Sequence, residues 1–480
     1  MPLRHGRRTG SVRTLGALVC ATIVLWCAPV TESLAADPAP VVMPTTRPLR
    51  RRPPPTQPAT NAPTTAIPGI AAQEIAVEKI RSIYAMEYAD PSYPARRNLA
   101  RKLIEQGDQT KRDSDAKFVF YREALDVAAR AGDVPTAFTT VDHLVAAFPV
   151  SRLAHRVEVL QMAEPVLIAP AANASVASMC VDLIDQCAVE NDFQHADTLL
   201  AIADATAART QKRAYVSWVQ WRRARLNLLR AAHERARPAE LTLKTAPDNP
   251  DANLIVGRHL CAARGDWDNG LPMLLKATDR PLAALADRDL TCPEDQTVEQ
   301  FKLAGEWWDF AQRQSEEERL AWRKRAAYWY RRALPELDGL DAATAERRVI
   351  ESAPPASVKV PRPPDAMPFR GHLYRGSIAD VSWDAAVRLC EEAGGQMACL
   401  ETRLENDYVG KLARGKTLWL GASFDGKGRW RWITNAELFF SYWAHGEPRI
   451  SDPVGHPQLD ASGAWRTSSA TAGFVCEWDN

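Results

Sequence analysis

Two proline-dense stretches limit what this chain can fold into. Residues 353–369 carry Pro354, Pro355, Pro361, Pro363, Pro364 and Pro368. Each proline fixes φ and removes a backbone donor, so helix propagation stops here and the chain stiffens. These residues read as a linker between two domains. Residues 36–69 form a second such stretch, rich in Pro, Thr and Ala around a basic knot at Arg50-Arg51-Arg52. A segment of this composition buries too little apolar surface to offset its ordering entropy, so it reads as an extended, disordered linker. The knot reads as a solvated charge cluster, with a grip on an anionic polymer as its functional alternative.

Residues 1–35 have the build of a cleaved signal peptide. Arg4, Arg7, Arg8 and Arg13 precede an apolar run from Leu15 to Val30, and Ser33-Leu34-Ala35 supplies small residues for cleavage. That run is shorter than the roughly 20 residues a bilayer span needs. No other stretch is long and apolar enough, so no span is expected after cleavage. The expected address is export, to the periplasm, the cell surface or the exterior.

Charge excludes some functions. There are 60 basic and 59 acidic residues, a net charge of +1, so nothing in bulk favours nucleic acid or an anionic membrane. Beyond the signal segment the cysteines are Cys180, Cys187, Cys261, Cys292, Cys390, Cys399 and Cys476. That number is odd and sparse, so the chain is not a disulfide scaffold, and one bridge near the C-terminus is expected.

Between the linkers, residues 70–352 read as helices. Phe118, Tyr121, Leu125 and Ala128 form an apolar stripe that ends at Gly132-Asp133, and Ala137, Val141, Leu144 and Val145 make the next. The same helix–turn–helix signature recurs at Asn191-Asp192 and at Gly265-Asp266, where Gly supplies a left-handed cap and Asp starts the next helix. Ser315 with Glu318 reads as a capping box opening a helix that carries Trp322 and Trp329, tryptophans more in keeping with a core than with a ligand site.

These hairpins resemble tetratricopeptide-type repeats, without a strict period. Leu254-x-x-Gly257, Gly265-Asp266-Trp267 and Ala327-Tyr328-Trp329-Tyr330 also resemble a helical region of exported bacterial proteins. The resemblance implies a scaffold.

Residues 370–480 change character again. Tyr374 to Ile378 reads as a strand. Ser382 caps a helix beginning at Trp383, with Ala386, Val387, Cys390 and Ala393 on one face and Gly394-Gly395 ending it. Thr402 and Glu405 form a capping box for a second helix expected to bury Leu404, Tyr408 and Leu412. Short aromatic strands follow at Trp419, Trp430-x-Trp432 and Phe439-Phe440, and Gly473 to Glu477 makes the last. Two helices followed by an irregular, tryptophan-rich sheet resemble a C-type-lectin-like domain. The fold class expected is therefore multidomain, an all-α helical-hairpin repeat scaffold followed by an α+β C-type-lectin-like domain.

The resemblance implies several things about particular residues. Cys390 and Cys476 take the positions of the family's long disulfide, whose loop of about 85 residues would stabilise the fold by roughly 4–5 kcal/mol. The family's second bridge is missing, so Cys399 reads as a buried small hydrophobe. Sugar-binding members hold Ca²⁺ with oxygen donors from Glu-Pro-Asn or Gln-Pro-Asp and from Trp-Asn-Asp. This chain has Glu447-Pro448-Arg449 and Trp465-Arg466-Thr467, which put guanidiniums where oxygens are required. No calcium, other metal or cofactor is expected. What remains as a candidate ligand surface is Glu447, Arg449, Asp452, His456 and Arg466 beside Trp443, a set that also reads as a solvated loop over a core tryptophan.

Function is expected to be binding. The leading reading is a non-catalytic exported protein whose calcium-independent module recognises a glycan or an envelope protein. The alternative makes the helical repeats an assembly scaffold and the module a structural cap. The chain lacks Gly-x-Ser-x-Gly, His-Glu-x-x-His, a phosphate loop and a dinucleotide fingerprint, and its nine histidines show no metal-ligand spacing, so no catalytic residue is expected.

Overall fold

The computed structural model describes residues 65–293, 295–352, 360–413, 415–424, 429–434, 436–449, 455–460 and 462–479. The signal segment, the basic knot and Asp452 lie outside the described residues.

The first part is helical. Helices α1 (Ile70–Ile83), α2 (Ala85–Ala89), α3 (Tyr93–Gln109), α4 (Ser114–Arg130), α5 (Val134–Ala147), α6 (Arg152–Ala163), α7 (Pro170–Glu190) and α8 (Phe193–Arg209) pack through one core. The long α9 (Arg213–Thr245) follows, then α10 (Pro250–Arg258), which runs into a π-helical turn, His259–Ala263. Helices α11 (Trp267–Leu274), α12 (Arg280–Thr291), α13 (Thr297–Gln312), α14 (Glu316–Ala333) and α15 (Gly339–Glu351) complete the layer.

The expected turns are where the sequence puts them. Asp133, Asp192 and Asp266 each accept a backbone N–H of the helix they open, and Gly132, Asn191 and Gly265 adopt positive φ. Ser315 caps α14 through the Glu318 N–H. The second core is aromatic: Trp307 and Trp322 stack 5.6 Å apart with Trp267 against their edges. Asp289 accepts from the indoles of Trp307 (2.6 Å) and Trp329 (2.8 Å) and pairs with Arg325 beneath them. The tryptophan stripe is core.

The second part is α+β. Strand β1 (Met367–Phe369), taken from the end of the proline-rich stretch, pairs with β2 (His372–Val381). Then come α16 (Trp383–Glu392), β3 (Gln396–Met397), α17 (Arg403–Leu412), β4 (Leu418–Trp419), β5 (Ala422–Phe424), β6 (Trp430–Trp432), β7 (His456–Leu459), β8 (Trp465–Ser468) and β9 (Ala472–Asp479). The main sheet runs β1-β2-β9-β4-β7-β8, with β3 also on β9, and β5-β6 form a separate ribbon. Cys390 on α16 is bonded to Cys476 on β9, while Cys399 is a buried thiol.

Two local expectations are corrected. Leu404 is 52% exposed, and α17 buries Glu405, Asn406 and Val409 in its place. The Glu405 carboxylate folds back onto the backbone N–H groups of Glu401 and Thr402 (2.9 Å each), and Asn406 is claimed by Trp465 and Gly463, which sets the rotation of the helix. Phe439-Phe440 is not a strand. The Phe439 N–H turns back to the Glu437 carbonyl (3.0 Å), leaving Phe439 90% exposed while Phe440 packs edge-on to Trp465.

The two parts are packed together, and the edge of β2 shows how. Beyond β1, this edge presents backbone groups that no strand pairs, a liability in any open sheet. Side chains of the helical layer satisfy them. Asp182 of α7 accepts the Ile378 N–H (3.1 Å), Gln186 accepts the Asp380 N–H (3.3 Å), and Arg156 of α6 donates to the Ile378 carbonyl (3.2 Å). Ion pairs surround this seam: Arg375–Asp182 (2.7 Å), Arg156–Asp380 (3.3 Å) and Arg225–Glu392 (2.6 Å). Helix α7 therefore buries Asp182, Asp185 and Gln186 as well as its apolar face.

Candidate functional site

The candidate residues gather around β8, at the far end of the sheet from β1. Trp465 faces the core, fully buried, and donates its indole N–H to Asn406 (2.6 Å). Alternation along the strand puts Thr467 on the same side and Arg466 on the other. The segment from Tyr442 to Arg449 runs along the outer edge of β8. The Trp465 N–H donates to the Tyr442 carbonyl (2.8 Å), and the Ala444 N–H to the Trp465 carbonyl (2.9 Å). Gly446 then turns at φ +79°, a conformation that suits a residue without Cβ, and delivers Glu447 to Thr467.

Glu447 is consumed by its own fold. One carboxylate oxygen accepts both the Thr467 N–H (3.1 Å) and the Thr467 hydroxyl (2.5 Å), and the other lies 3.1 Å from the Arg449 guanidinium. Its side chain is 2% exposed, whereas that of Arg449 is 67% exposed. Burial pushes this carboxyl up, but the Thr467 hydrogen bonds and the Arg449 charge outweigh it and hold Glu447 below the usual carboxylate range.

Arg466 lies on the opposite face of the sheet, 3.0 Å from Asp460 and 56% exposed. Asp460 is itself the pivot of a tight turn, accepting the N–H groups of Ser462 (2.8 Å) and Ala464 (3.2 Å). Burial raises this carboxyl too, yet the Ser462 hydrogen bonds and Arg466 leave it lowered. His456 pairs across strands with Ser468, so it shares the Arg466 face, and its ring stacks on Trp383 at 3.9 Å. Trp443 is half-buried between Trp430 (5.0 Å) and Trp465 (5.5 Å).

The structure thus brings Trp443, Glu447 and Arg449 together along the outer edge of β8 and places Arg466 and His456 across the sheet. Asp452 lies outside the described residues. Sequence reasoning missed Thr467 and Asp460, the partners that close the site. For Asp460 the signal was present in Asp460-x-Ser462-Gly463, a turn pattern in which Asp accepts local N–H groups.

Comparison with known proteins matches residues 379–477 to the family model described as Lectin C-type domain. These residues form a C-type lectin domain. It follows a helical N-terminal region.

Among curated relatives, C-type lectin domain family 4 member G of Mus musculus is 30% identical over 125 residues, which cover 24% of this chain and 42% of that protein. C-type mannose receptor 2 of Rattus norvegicus is 28% identical over 130 residues, covering 26% of this chain and 9% of that protein. The chain therefore spans less than half the length of either. Among solved structures, the cow carbohydrate-recognition domain of CD23, determined in the presence of GlcNAc2Man3 oligosaccharide, is 26% identical over 24% of this chain and 95% of its own, with a TM-score of 0.23.

The lectin domain suggests binding of a carbohydrate or a protein. Among the described residues no helix is long and apolar enough to cross a membrane.

Proposed function

We propose that this is a non-catalytic, exported binding protein whose lectin domain holds a carbohydrate or protein ligand at the cell envelope without calcium. The observation that carries the reading is the closure of Glu447: Thr467 and Arg449 occupy both of its oxygens. A Ca²⁺ ion needs six to eight oxygens at 2.3–2.6 Å. At this loop it would have to displace a guanidinium and two hydrogen bonds to gain one carboxylate. The exposed guanidiniums of Arg449 and Arg466 offer a ligand forked donors suited to carboxylate, sulfate or phosphate groups.

The test is an array of glycans and envelope-derived polymers probed with the full chain, with and without added Ca²⁺. Binding that is indifferent to Ca²⁺ and lost in Arg449→Ala/Arg466→Ala supports the reading. Binding that appears only with Ca²⁺ refutes it.

One observation favours a second reading, in which the helical region is an assembly scaffold and the lectin domain its cap. Helix α7 and Arg156 cover the β2 edge as a neighbouring strand would. Pull-downs comparing wild type with Arg449→Ala/Arg466→Ala separate the two, since a scaffold keeps its partners in the variant.

A further inference from the structure

Three residues of the helical layer, far apart in sequence, converge near the end of α9. His233 and Glu240 lie two turns apart on α9, and His259 opens the π-helical turn that follows α10. One ligand atom from each lies within 4.8 Å of the other two. A π-turn carries one residue more than an α-turn, and such turns recur at functional sites because they re-aim a side chain. Here the Arg264 N–H reaches back to the His259 carbonyl (3.2 Å), five residues away.

The His233 ring packs against those of Phe193 (5.6 Å) and His259 (6.1 Å), which accounts for the rings but not for their nitrogens. His259 is 8% exposed, and neither of its ring nitrogens has a hydrogen-bond partner among the described residues; Nδ1 of His233 has none either. Glu240 Oε1 stands 3.8 Å from that nitrogen, too far for a hydrogen bond. A buried imidazole with both nitrogens unsatisfied costs about 1–3 kcal/mol per lost partner, so it wants a ligand.

We infer that His233, Glu240 and His259 form a three-ligand site for a zinc-type transition ion, separate from the lectin domain's loop. Two imidazoles and a carboxylate suit such an ion, while hard cations such as Ca²⁺ take oxygen alone. Bond lengths of 2.0–2.2 Å place tetrahedral ligand atoms roughly 3.4 Å apart. Closing from 4.8 Å takes rotations of Glu240 and His233, whose side chains are 33% and 17% exposed.

The nearby Arg264 is held by the carbonyls of Ala188 (3.1 Å) and Val189 and by Asn191; Glu240 acts against its charge, and Arg235 is a second cation that acts on His259. The ion fastens α9 to the π-turn. Six residues on, the Gly265 carbonyl accepts from Arg388 of the lectin domain (3.3 Å), so the fastened turn is one the lectin domain rests on.

The test uses the full chain, stripped of metal and dialysed against Zn²⁺ at neutral pH, with bound metal counted by mass spectrometry. Co²⁺ serves as the spectroscopic probe of geometry. Expected are one ion per chain, a tetrahedral Co²⁺ spectrum, and at least tenfold weaker binding in Glu240→Gln and in His233→Gln. His259→Gln should abolish uptake, and the two more exposed variants carry the test if it fails to fold. His143→Gln, which breaks a histidine–aspartate pair elsewhere, should leave uptake unchanged. No stoichiometric uptake by wild type, or equal affinity in Glu240→Gln and His233→Gln, overturns the inference.

Discussion

Replacing Asp182 by Ala probes the seam between the helical layer and the lectin domain at its most buried point. Asp182 and Arg375 are 5% and 9% exposed at the side chain and meet at 2.7 Å. The second Asp182 oxygen accepts the Ile378 N–H at the edge of β2. Breaking one side of a buried pair costs about 3–5 kcal/mol, because the remaining charge loses its compensation. Arg375 keeps a second partner in Asp365 at 2.8 Å, which puts the variant at the lower end, about 3 kcal/mol. At 1.36 kcal/mol per factor of ten, that is roughly a 150-fold rise in local opening. Hydrogen exchange of the Ile378 and Asp380 amides reads it directly. The double variant Asp182→Leu/Arg375→Met removes the uncompensated guanidinium and should recover part of the lost stability, while the Ile378 amide, whose acceptor is gone, stays fast-exchanging. Exchange within threefold of wild type in Asp182→Ala would refute the reasoning, since the α7 side chains would then not be what covers the β2 edge.

Further predictions concern single contacts. Cys390→Ala/Cys476→Ala opens a bridge spanning 86 residues and should destabilise the lectin domain by about 4–5 kcal/mol, seen as a lower urea midpoint, with no effect of reductant on the variant. Glu447→Gln should weaken the loop by about 2 kcal/mol, read as faster exchange of the Thr467 amide, since hydrogen bonds to a buried charge are lost. Burial pushes Asp185 up to about 7 against the pull of Arg222 2.8 Å away, with Asp182 and Glu392 adding to the rise. The folded state thus holds that proton longer than the unfolded chain, so the stability it adds is present below about pH 4 and is lost as pH rises through 7. Unfolding midpoints measured from pH 5 to 8 should fall in wild type relative to Asp185→Asn; parallel curves would count against it.

Much of this architecture was legible where local chemistry decides. Asp133, Asp192, Asp266, Ser382 and Thr402 were readable as helix starts because a cap is satisfied within three residues of itself. The Cys390–Cys476 pairing followed from resemblance and is present. What the sequence hid depends on distant neighbours. Asp182, Asp185 and Gln186 sit inside an apolar helix pattern; the docked lectin domain supplies partners for Asp182 and Gln186, and Arg222 of α9 supplies one for Asp185. Leu404 continued a tidy stripe with Tyr408 and Leu412, yet the demands of Trp465 on Asn406 turned the helix. Thr467 carried no signal, because its role arises from a loop edge laid beside β8. The histidines showed no ligand spacing because His233 and His259 come from different helices and meet only in three dimensions.

Calcium binding by the full chain tests the central claim most directly. Equilibrium dialysis at millimolar Ca²⁺ should show no ion taken up at the Glu447 loop, with the same residual uptake in wild type and Glu447→Gln. One Ca²⁺ bound by wild type and lost in Glu447→Gln would contradict the account, because the carboxylate that Thr467 and Arg449 occupy would then be open to a cation after all.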